Sequence, residues 1–210
     1  MNLPTVLLPL AYWVHDLDPV AVRFPEGWPL RGVHWYGLAY ATGFLIAAVL
    51  LSRWRRQALA PVRDAVDESA LITAIMLGVV LGGRLGHVLL YARSEFLADP
   101  LMVFRVWQGG MASHGGFLGV LLAGVWYART RRVPFLAVGD LLCALAPAGI
   151  LCGRLANFVN AELVGRATNV PWAVIFPREG TEPRHPSQLY EAAGEGLLPL
   201  LWMLWRYPQR

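Results

Sequence analysis

Residues 70–91 read ALITAIMLGVVLGGRLGHVLLY, an apolar run in which Arg84 and His87 are the strongly polar residues. About 20 mostly apolar residues cross the hydrocarbon core of a membrane as a helix, so this run predicts a transmembrane span. Four further runs have the same character and cover residues 33–51, 115–128, 134–152 and 186–205. The sequence therefore predicts an all-α integral membrane protein with about five transmembrane helices.

The composition of the whole chain agrees with this prediction. Of 210 residues, 56% are hydrophobic and 15% are charged, whereas soluble domains carry about 25% charged residues. We therefore expect residues 1–210 to form a single polytopic membrane domain. All 18 basic residues are arginines that lie between apolar blocks. A nucleic-acid-binding protein would gather them on one solvated face, so no nucleic-acid partner is expected.

The distribution of arginines predicts the orientation of the chain. They are dense in the short loops after the first and third spans and at the C-terminus, and such loops are cytoplasmic by the positive-inside rule. The N-terminus and residues 156–185 then lie outside. Residues 156–185 contain turn residues around the strand-like run 172–176, so we expect them to form a small extracytoplasmic cap. Residues 3–14 lack the basic start of a signal peptide, so no cleaved leader is expected.

Small residues predict how the spans pack. One run has glycines at every fourth position, and a second run has a glycine pair with the same spacing; they are Gly78, Gly82 and Gly86, and Gly115 and Gly119. Such stripes let helix backbones approach closely in lipid. Pro147 is expected to bend the fourth span, because it removes a backbone donor. Cys143 and Cys152 fall on opposite helix faces, so we expect no disulfide, and no metal site.

The outer end of the fourth span carries polar residues that suit a phospholipid headgroup. Arg154 and Asn157 are three residues apart, so their side chains lie on the same face of the helix. A guanidinium is a forked donor that matches phosphate oxygens. Snorkelling of Arg154 to the interface is the alternative, but Gly153 before it and the polar run after it favour a binding site.

Two further groups of polar residues are candidates for function. His114 opens the third span beside two glycines and can exchange protons near neutral pH; Ser113 lacks the setting of a hydrolase nucleophile. Gln188, Glu191 and Glu195 share one face of the last span. That face either pairs with arginines of neighbouring helices or contacts substrate directly.

Five strings in a fixed order then carry a resemblance to a known family. They are HWYGL at 34–38, GGRLG at 82–86, HGG at 114–116, GRLANFVNAELVG at 153–165 followed by PW at 171–172, and RHPSQLYE at 184–191. From about residue 30 to the C-terminus, the chain resembles prolipoprotein diacylglyceryl transferases. The string at 153–165 is the most specific of the five.

The resemblance implies a reaction in the bacterial plasma membrane. Enzymes of this family transfer the diacylglyceryl group of phosphatidylglycerol to the lipobox cysteine of a prolipoprotein signal peptide, giving a thioether and glycerol phosphate. The partners implied are these two substrates and membrane lipid, and no cofactor is implied. The catalytic residues implied are Tyr36, His114, Arg154 and Glu162. The substrate-binding residues implied are Arg84, Arg154, Asn157, Gly165 and Glu191.

This chemistry agrees with the residues present. A thiolate is the nucleophile, and positive charge from Arg154 would stabilise the departing phosphate. His114, Glu162 or the phosphate itself is the candidate base.

The resemblance also has a gap. The family continues for two more helices, the first with another important arginine, whereas this chain ends at Arg210. A non-catalytic lipid-binding relative is therefore an alternative. A small membrane transporter is another, although it predicts an internal repeat that the sequence does not display.

Overall fold

The computed structural model describes residues 12–28, 32–106 and 109–209, and these residues are mostly helical. The helices are α1 (Trp35–Arg56), α2 (Ala65–Leu90), α3 (Arg93–Ala98), α4 (Ser113–Arg131), α5 (Phe135–Val159), α6 (Ser187–Glu191) and α7 (Leu198–Arg206). A π turn (Ala192–Leu197) joins α6 to α7, and short 3-10 helices cover Pro100–Phe104 and Tyr207–Gln209. The strands are β1 (Trp13–Val14), β2 (Val20–Arg23), β3 (Gly32–His34), β4 (Val174–Ile175) and β5 (Pro183–Arg184).

Within the described residues, α1, α2 and α5 are the three helices long and apolar enough to cross a membrane. They correspond to the first, second and fourth predicted spans, which confirms an integral membrane helical fold. The third predicted span is the 19-residue helix α4, and the fifth is α6, the π turn and α7 in succession. That these two also cross the membrane stays a prediction. The prediction about a leader at residues 3–14 lies mostly outside the described residues.

The chain divides into two compact units. The first contains Met1–Ala47 and Leu145–Arg206, and the second contains Ala48–Ala144 and Tyr207–Arg210. Pro147 lies inside α5, which continues through it. Cys143 is exposed and Cys152 is buried, and both thiols are free.

In the first unit, the segment predicted as a cap is folded around short strands. Strand β4 pairs in parallel with β1 and antiparallel with β5, while β2 and β3 form a separate antiparallel pair. A small apolar core of Ala161, Val174 and Phe176 is packed by Phe158 and Val164. This core buries the apolar side of the segment and gives it a fixed shape next to the end of α5.

In the second unit, α2 packs against α4 through the two glycine stripes. A Cβ added at Gly78 would lie 2.6 Å from the carbonyl oxygen of Gly119, and one at Gly86 would lie 2.8 Å from the Cα of Gly115. Real Cβ contacts are not this short, so the backbones touch where glycine permits it. The predicted close approach of the two helices is confirmed.

The N-terminal end of α2 is fixed by polar contacts. The Asp64 carboxylate caps the helix by accepting hydrogen bonds from the backbone N–H groups of Val66 and Asp67, both at 2.9 Å. These N–H groups hold the pKa of Asp64 below its ordinary value. In the first turns, Asp67 pairs with Arg131 of α4 at 3.0 Å, and Glu68 pairs with Arg55 of α1 at 2.6 Å.

Candidate functional site

The last turn of α5 and the segment after it bring most of the predicted site residues together. Helix α5 carries Arg154 and Asn157 one turn apart, because residues three apart lie on the same helix face. The chain leaves the helix through Ala161 and Leu163, both with positive φ (54° and 53°). The backbone N–H of Glu162 donates to the Asn157 carbonyl at 2.9 Å. This tight exit returns the Glu162 side chain to α5.

The buried Asn157 amide connects two of the predicted catalytic residues. Its Nδ2 donates to the Glu162 carboxylate at 3.2 Å and to the Tyr36 hydroxyl at 3.4 Å. Tyr36 lies at the start of α1, where the backbone N–H of Trp35 donates to the Pro19 carbonyl at 3.0 Å. The amide therefore fixes a phenol and a carboxylate next to each other at the end of a membrane helix.

Arg154 faces two carboxylates from the chain that follows the cap. Its Nη1 lies 2.8 Å from Glu191 Oε2, and its Nη2 donates to Glu195 Oε2 at 3.2 Å. Glu191 ends α6, and Glu195 lies in the π turn. Of the two sequence alternatives for this face, the structure contains the pairing with an arginine of a neighbouring helix. We define the α5 cluster as Tyr36, Arg154, Asn157, Glu162, Glu191 and Glu195.

Gly165 lies where two stretches of the first unit meet. Its N–H donates to the His185 carbonyl at 3.0 Å, and a Cβ at this position would lie 2.6 Å from the same oxygen. The Ser187 hydroxyl donates to the Leu163 carbonyl at 2.8 Å. The fully buried Gln188 donates through Nε2 to the Glu162 carbonyl. These contacts attach α6 to the exit of α5, so Gly165 supports the α5 cluster through its backbone.

Arg84 and His114 belong to the second unit. Arg84 is buried in α2, and its guanidinium donates to the backbone carbonyls of Met102, Val103, Gly109 and Gly110. This arrangement holds the segment between α3 and α4. Direct contact of Arg84 with substrate stays a prediction.

His114 is exposed in the first turn of α4. It lies at the edge of an apolar groove of about 1020 Å³ along α2 and α4, whose walls include Leu85, Leu118 and Leu122. The groove gives an imidazole direct access to apolar surroundings.

The structure also contains polar contacts that were not predicted. Trp172 Nε1 donates to the Tyr190 hydroxyl at 2.7 Å, and His185 Nδ1 lies 3.1 Å from the same oxygen. These residues fall inside the strings at 171–172 and 184–191, and those strings could have marked them as candidates for the site. Glu195 was assigned to the polar helix face but not to the site, although it contacts Arg154 directly.

These features define a multi-pass membrane protein with an arginine, amide and carboxylate cluster at the end of a membrane helix. The family model described as "Prolipoprotein diacylglyceryl transferase" matches residues 21–210. The chain belongs to the prolipoprotein diacylglyceryl transferase family, which confirms the resemblance of the five strings.

The chain is similar to several bacterial proteins, all of which are named phosphatidylglycerol–prolipoprotein diacylglyceryl transferase. The relative from Methylococcus capsulatus is 47% identical over 189 residues, which cover 90% of this chain and 71% of the relative. The relative from Geobacter sulfurreducens is 49% identical, with 90% of this chain and 70% of the relative covered. The relative from Aeromonas hydrophila is 49% identical, with 93% and 70% covered.

Proposed function

We propose that this chain transfers the diacylglyceryl group of phosphatidylglycerol to the lipobox cysteine of prolipoprotein signal peptides. Membership of the family supports this activity, and the names of the relatives specify the two substrates. The observation that carries the proposal is the position of the Arg154 guanidinium, which is half-buried at the end of α5 near Asn157 and Glu162.

The reaction is a displacement at a glycerol carbon. The cysteine sulfur forms a bond to that carbon, the carbon–oxygen bond to phosphate breaks, and its electron pair leaves with glycerol phosphate. Negative charge grows on the departing phosphate, so a preorganised cation aimed at it lowers the barrier. Arg154 is the residue proposed for this role, since its fork of donors matches two phosphate oxygens.

The thiol proton must go to a base, because the thiolate is the nucleophile. Glu162 and His114 are the two side chains proposed for this step, and the departing phosphate is the third acceptor. The Asn157 amide, which also donates to the Tyr36 hydroxyl, orients Glu162. Glu191 positions Arg154, and Gly165 keeps α6 close to the exit of α5.

The apolar groove along α2 and α4 supports a lipid substrate. It is lined almost entirely by leucine, glycine and alanine, with His114 at its edge. Such surroundings suit acyl chains, because removing apolar surface from water is favourable.

We also propose that the protein lies in the bacterial plasma membrane with its N-terminus outside and its C-terminus in the cytoplasm. The positive-inside rule supports this orientation. In the first unit, Asn157 and Glu162 of the α5 cluster belong to segment 156–185, which this orientation exposes on the outer side. Signal-peptide cysteines would meet the α5 cluster at that surface.

The experiment is a transfer assay on Arg154→Ala, with the exposed cap residue Arg178→Ala as the matched control. The full chain is mixed with phosphatidylglycerol vesicles and a signal peptide bearing one cysteine, and the mass of the peptide is followed. We expect Arg154→Ala to lose about 10²–10³-fold in turnover, the typical loss of a transition-state charge partner. Arg178→Ala should keep turnover unchanged. Equal turnover in both variants would contradict the assignment of Arg154.

A further inference from the structure

Arg154 is already occupied by carboxylates in the structure. The two ion pairs engage different arms of the guanidinium, Nη1 with Glu191 and Nη2 with Glu195. One positive charge therefore faces two negative charges. Nη1 and Nη2 each carry two N–H groups, so a phosphate that approaches the fork on the side of Glu195 competes with that carboxylate for the same donors.

The two carboxylates are not equivalent. The Glu191 side chain is 33% exposed, and its Oε2 is inaccessible to solvent while it lies 2.8 Å from Arg154. The Glu195 side chain is 54% exposed, and its contact is longer, at 3.2 Å. Exposed ion pairs are weak, and a displaced exposed carboxylate is solvated by water. Displacing the Glu191 carboxylate would instead leave a charge with little access to water.

The backbone holds Glu195 at this position. The N–H of Leu198 donates to the carbonyl of Ala193, five residues back, which widens the helix into the π turn. Next to Glu195, Gly196 packs on α5 so closely that a Cβ would lie 2.6 Å from the Cα of Leu151. Leu151 is three residues before Arg154, so this contact sets the π turn against the turn of α5 that carries the guanidinium. Single π turns of this kind are frequent at functional sites.

We propose that Glu195 is a positioning residue that stands in for the phosphate of the phospholipid. In this structure its carboxylate holds Nη2 of Arg154; the incoming phosphodiester displaces it while Glu191 keeps Nη1. The inference rests on the proposed function, since it assumes that the Arg154 fork receives the phosphate. After transfer, the Glu195 carboxylate competes with glycerol phosphate for Nη2 and assists its release.

A displaced carboxylate that stays near the phosphate lowers affinity for the lipid. Glu195→Gln keeps the shape and an acceptor oxygen but removes the charge. We therefore expect Glu195→Gln to bind phosphatidylglycerol roughly two- to fivefold more tightly, the range given by exposed ion pairs. The KM for phosphatidylglycerol should fall by a similar factor. The value of kcat should not rise, because the product is also held more tightly.

The test measures binding and turnover separately on the full chain. Binding of phosphatidylglycerol is titrated in phosphatidylcholine nanodiscs by native mass spectrometry, and kcat and KM come from the peptide transfer assay. Glu195→Gln and Glu195→Ala are compared with Glu179→Gln, an exposed carboxylate of the cap. Glu191→Gln is expected to act in the opposite direction, with weaker binding and lower kcat, because Arg154 loses its less exposed partner.

Tighter binding in both Glu195 variants, with Glu179→Gln like the wild type, would support the inference. Unchanged or weaker binding in them would overturn it, and so would an equal gain in Glu179→Gln. If the wild type binds phosphatidylglycerol without modifying the peptide, the proposed transfer fails while the binding comparison still decides the role of Glu195. If one Glu195 variant does not fold, the other decides the same comparison.

Discussion

Asn157 organises the α5 cluster because it is one of the buried polar residues and has two directed contacts. Its amide donates to Tyr36 on α1 and to Glu162 on the loop that leaves α5. A carboxylate or phenol alone at the end of a helix would be free to rotate. The shared amide donor fixes both, and it leaves the guanidinium of Arg154 one helical turn away.

Replacing Asn157 by Asp should impair turnover more than stability. The substitution removes the Nδ2 donor and places a second carboxylate against Glu162, 3.2 Å away in the wild type. A hydrogen bond to a charged group contributes about 1.5–3 kcal/mol, so we expect turnover to fall roughly 10- to 100-fold. The measurement is kcat/KM in the transfer assay. Asn169→Asp, at an exposed position of the cap, is the control, and an equal effect of the two changes would refute this role.

Arg84 has a different role in the second unit. Its guanidinium reaches four backbone carbonyls between Met102 and Gly110. A lysine carries its donors on one nitrogen and cannot cover this spread of acceptors. Each carbonyl that loses the guanidinium loses a hydrogen bond to a charged group, which contributes about 1.5–3 kcal/mol.

We therefore expect Arg84→Lys to lower the melting temperature of the detergent-purified protein by several degrees. Arg93→Lys, at an exposed position in α3, should leave the melting temperature unchanged. Thermal unfolding followed by tryptophan fluorescence measures both. A wild-type melting temperature in Arg84→Lys would show that its hydrogen bonds do not stabilise the segment.

The contact between helices α2 and α4 depends on two backbones that lie too close together for any added side-chain atom. A methyl group at Gly78 would meet the Gly119 carbonyl at 2.6 Å. Overpacking of this kind costs about 1–3 kcal/mol, so Gly78→Ala should lower the melting temperature. Gly139→Ala on α5 is the control, since no atom lies within 4 Å of its added Cβ and alanine favours the helix. The packing account fails if both variants melt alike.

The helices and the glycine contact were predictable from the sequence, but the local irregularities were not. Apolar runs and the four-residue glycine spacing are properties of neighbouring residues, which a single sequence displays directly. The π turn at Ala192–Leu197 and the parallel pairing of β1 with β4 are not. The first depends on the fit of Gly196 to α5, and the second joins residues about 160 positions apart.

The candidate site was predictable to a similar extent. Arg154 and Asn157 share a helix face by spacing alone, and the polar face of Gln188, Glu191 and Glu195 was recognisable. The alternatives for this face were pairing with an arginine or direct contact with substrate, and the pairing with Arg154 depends on the position of α6 and the π turn against α5. The carbonyl contacts of Arg84 come from residues 102–103 and 109–110, which lie 18 to 26 positions further along the chain. Helix spacing rules relate only residues three or four positions apart.

For the whole molecule, the arginine distribution predicts which surface meets the outside. In a variant with Cys143→Ala and Cys152→Ala, single cysteines are introduced as Glu179→Cys in the cap and Gln57→Cys after α1, both at exposed positions. A membrane-impermeant maleimide should label Glu179→Cys in intact spheroplasts, and Gln57→Cys only after permeabilisation. The reverse pattern would contradict the proposed orientation.

The proposed reaction forms a thioether between a diacylglyceryl group and a cysteine. The most direct measurement is mass spectrometry of a lipobox peptide incubated with the purified chain and phosphatidylglycerol vesicles, next to the same peptide with Cys→Ser. We expect a gain of one diacylglyceryl group on the cysteine peptide alone. An unmodified cysteine peptide, under conditions in which the Geobacter sulfurreducens relative modifies it, would refute the proposed transfer.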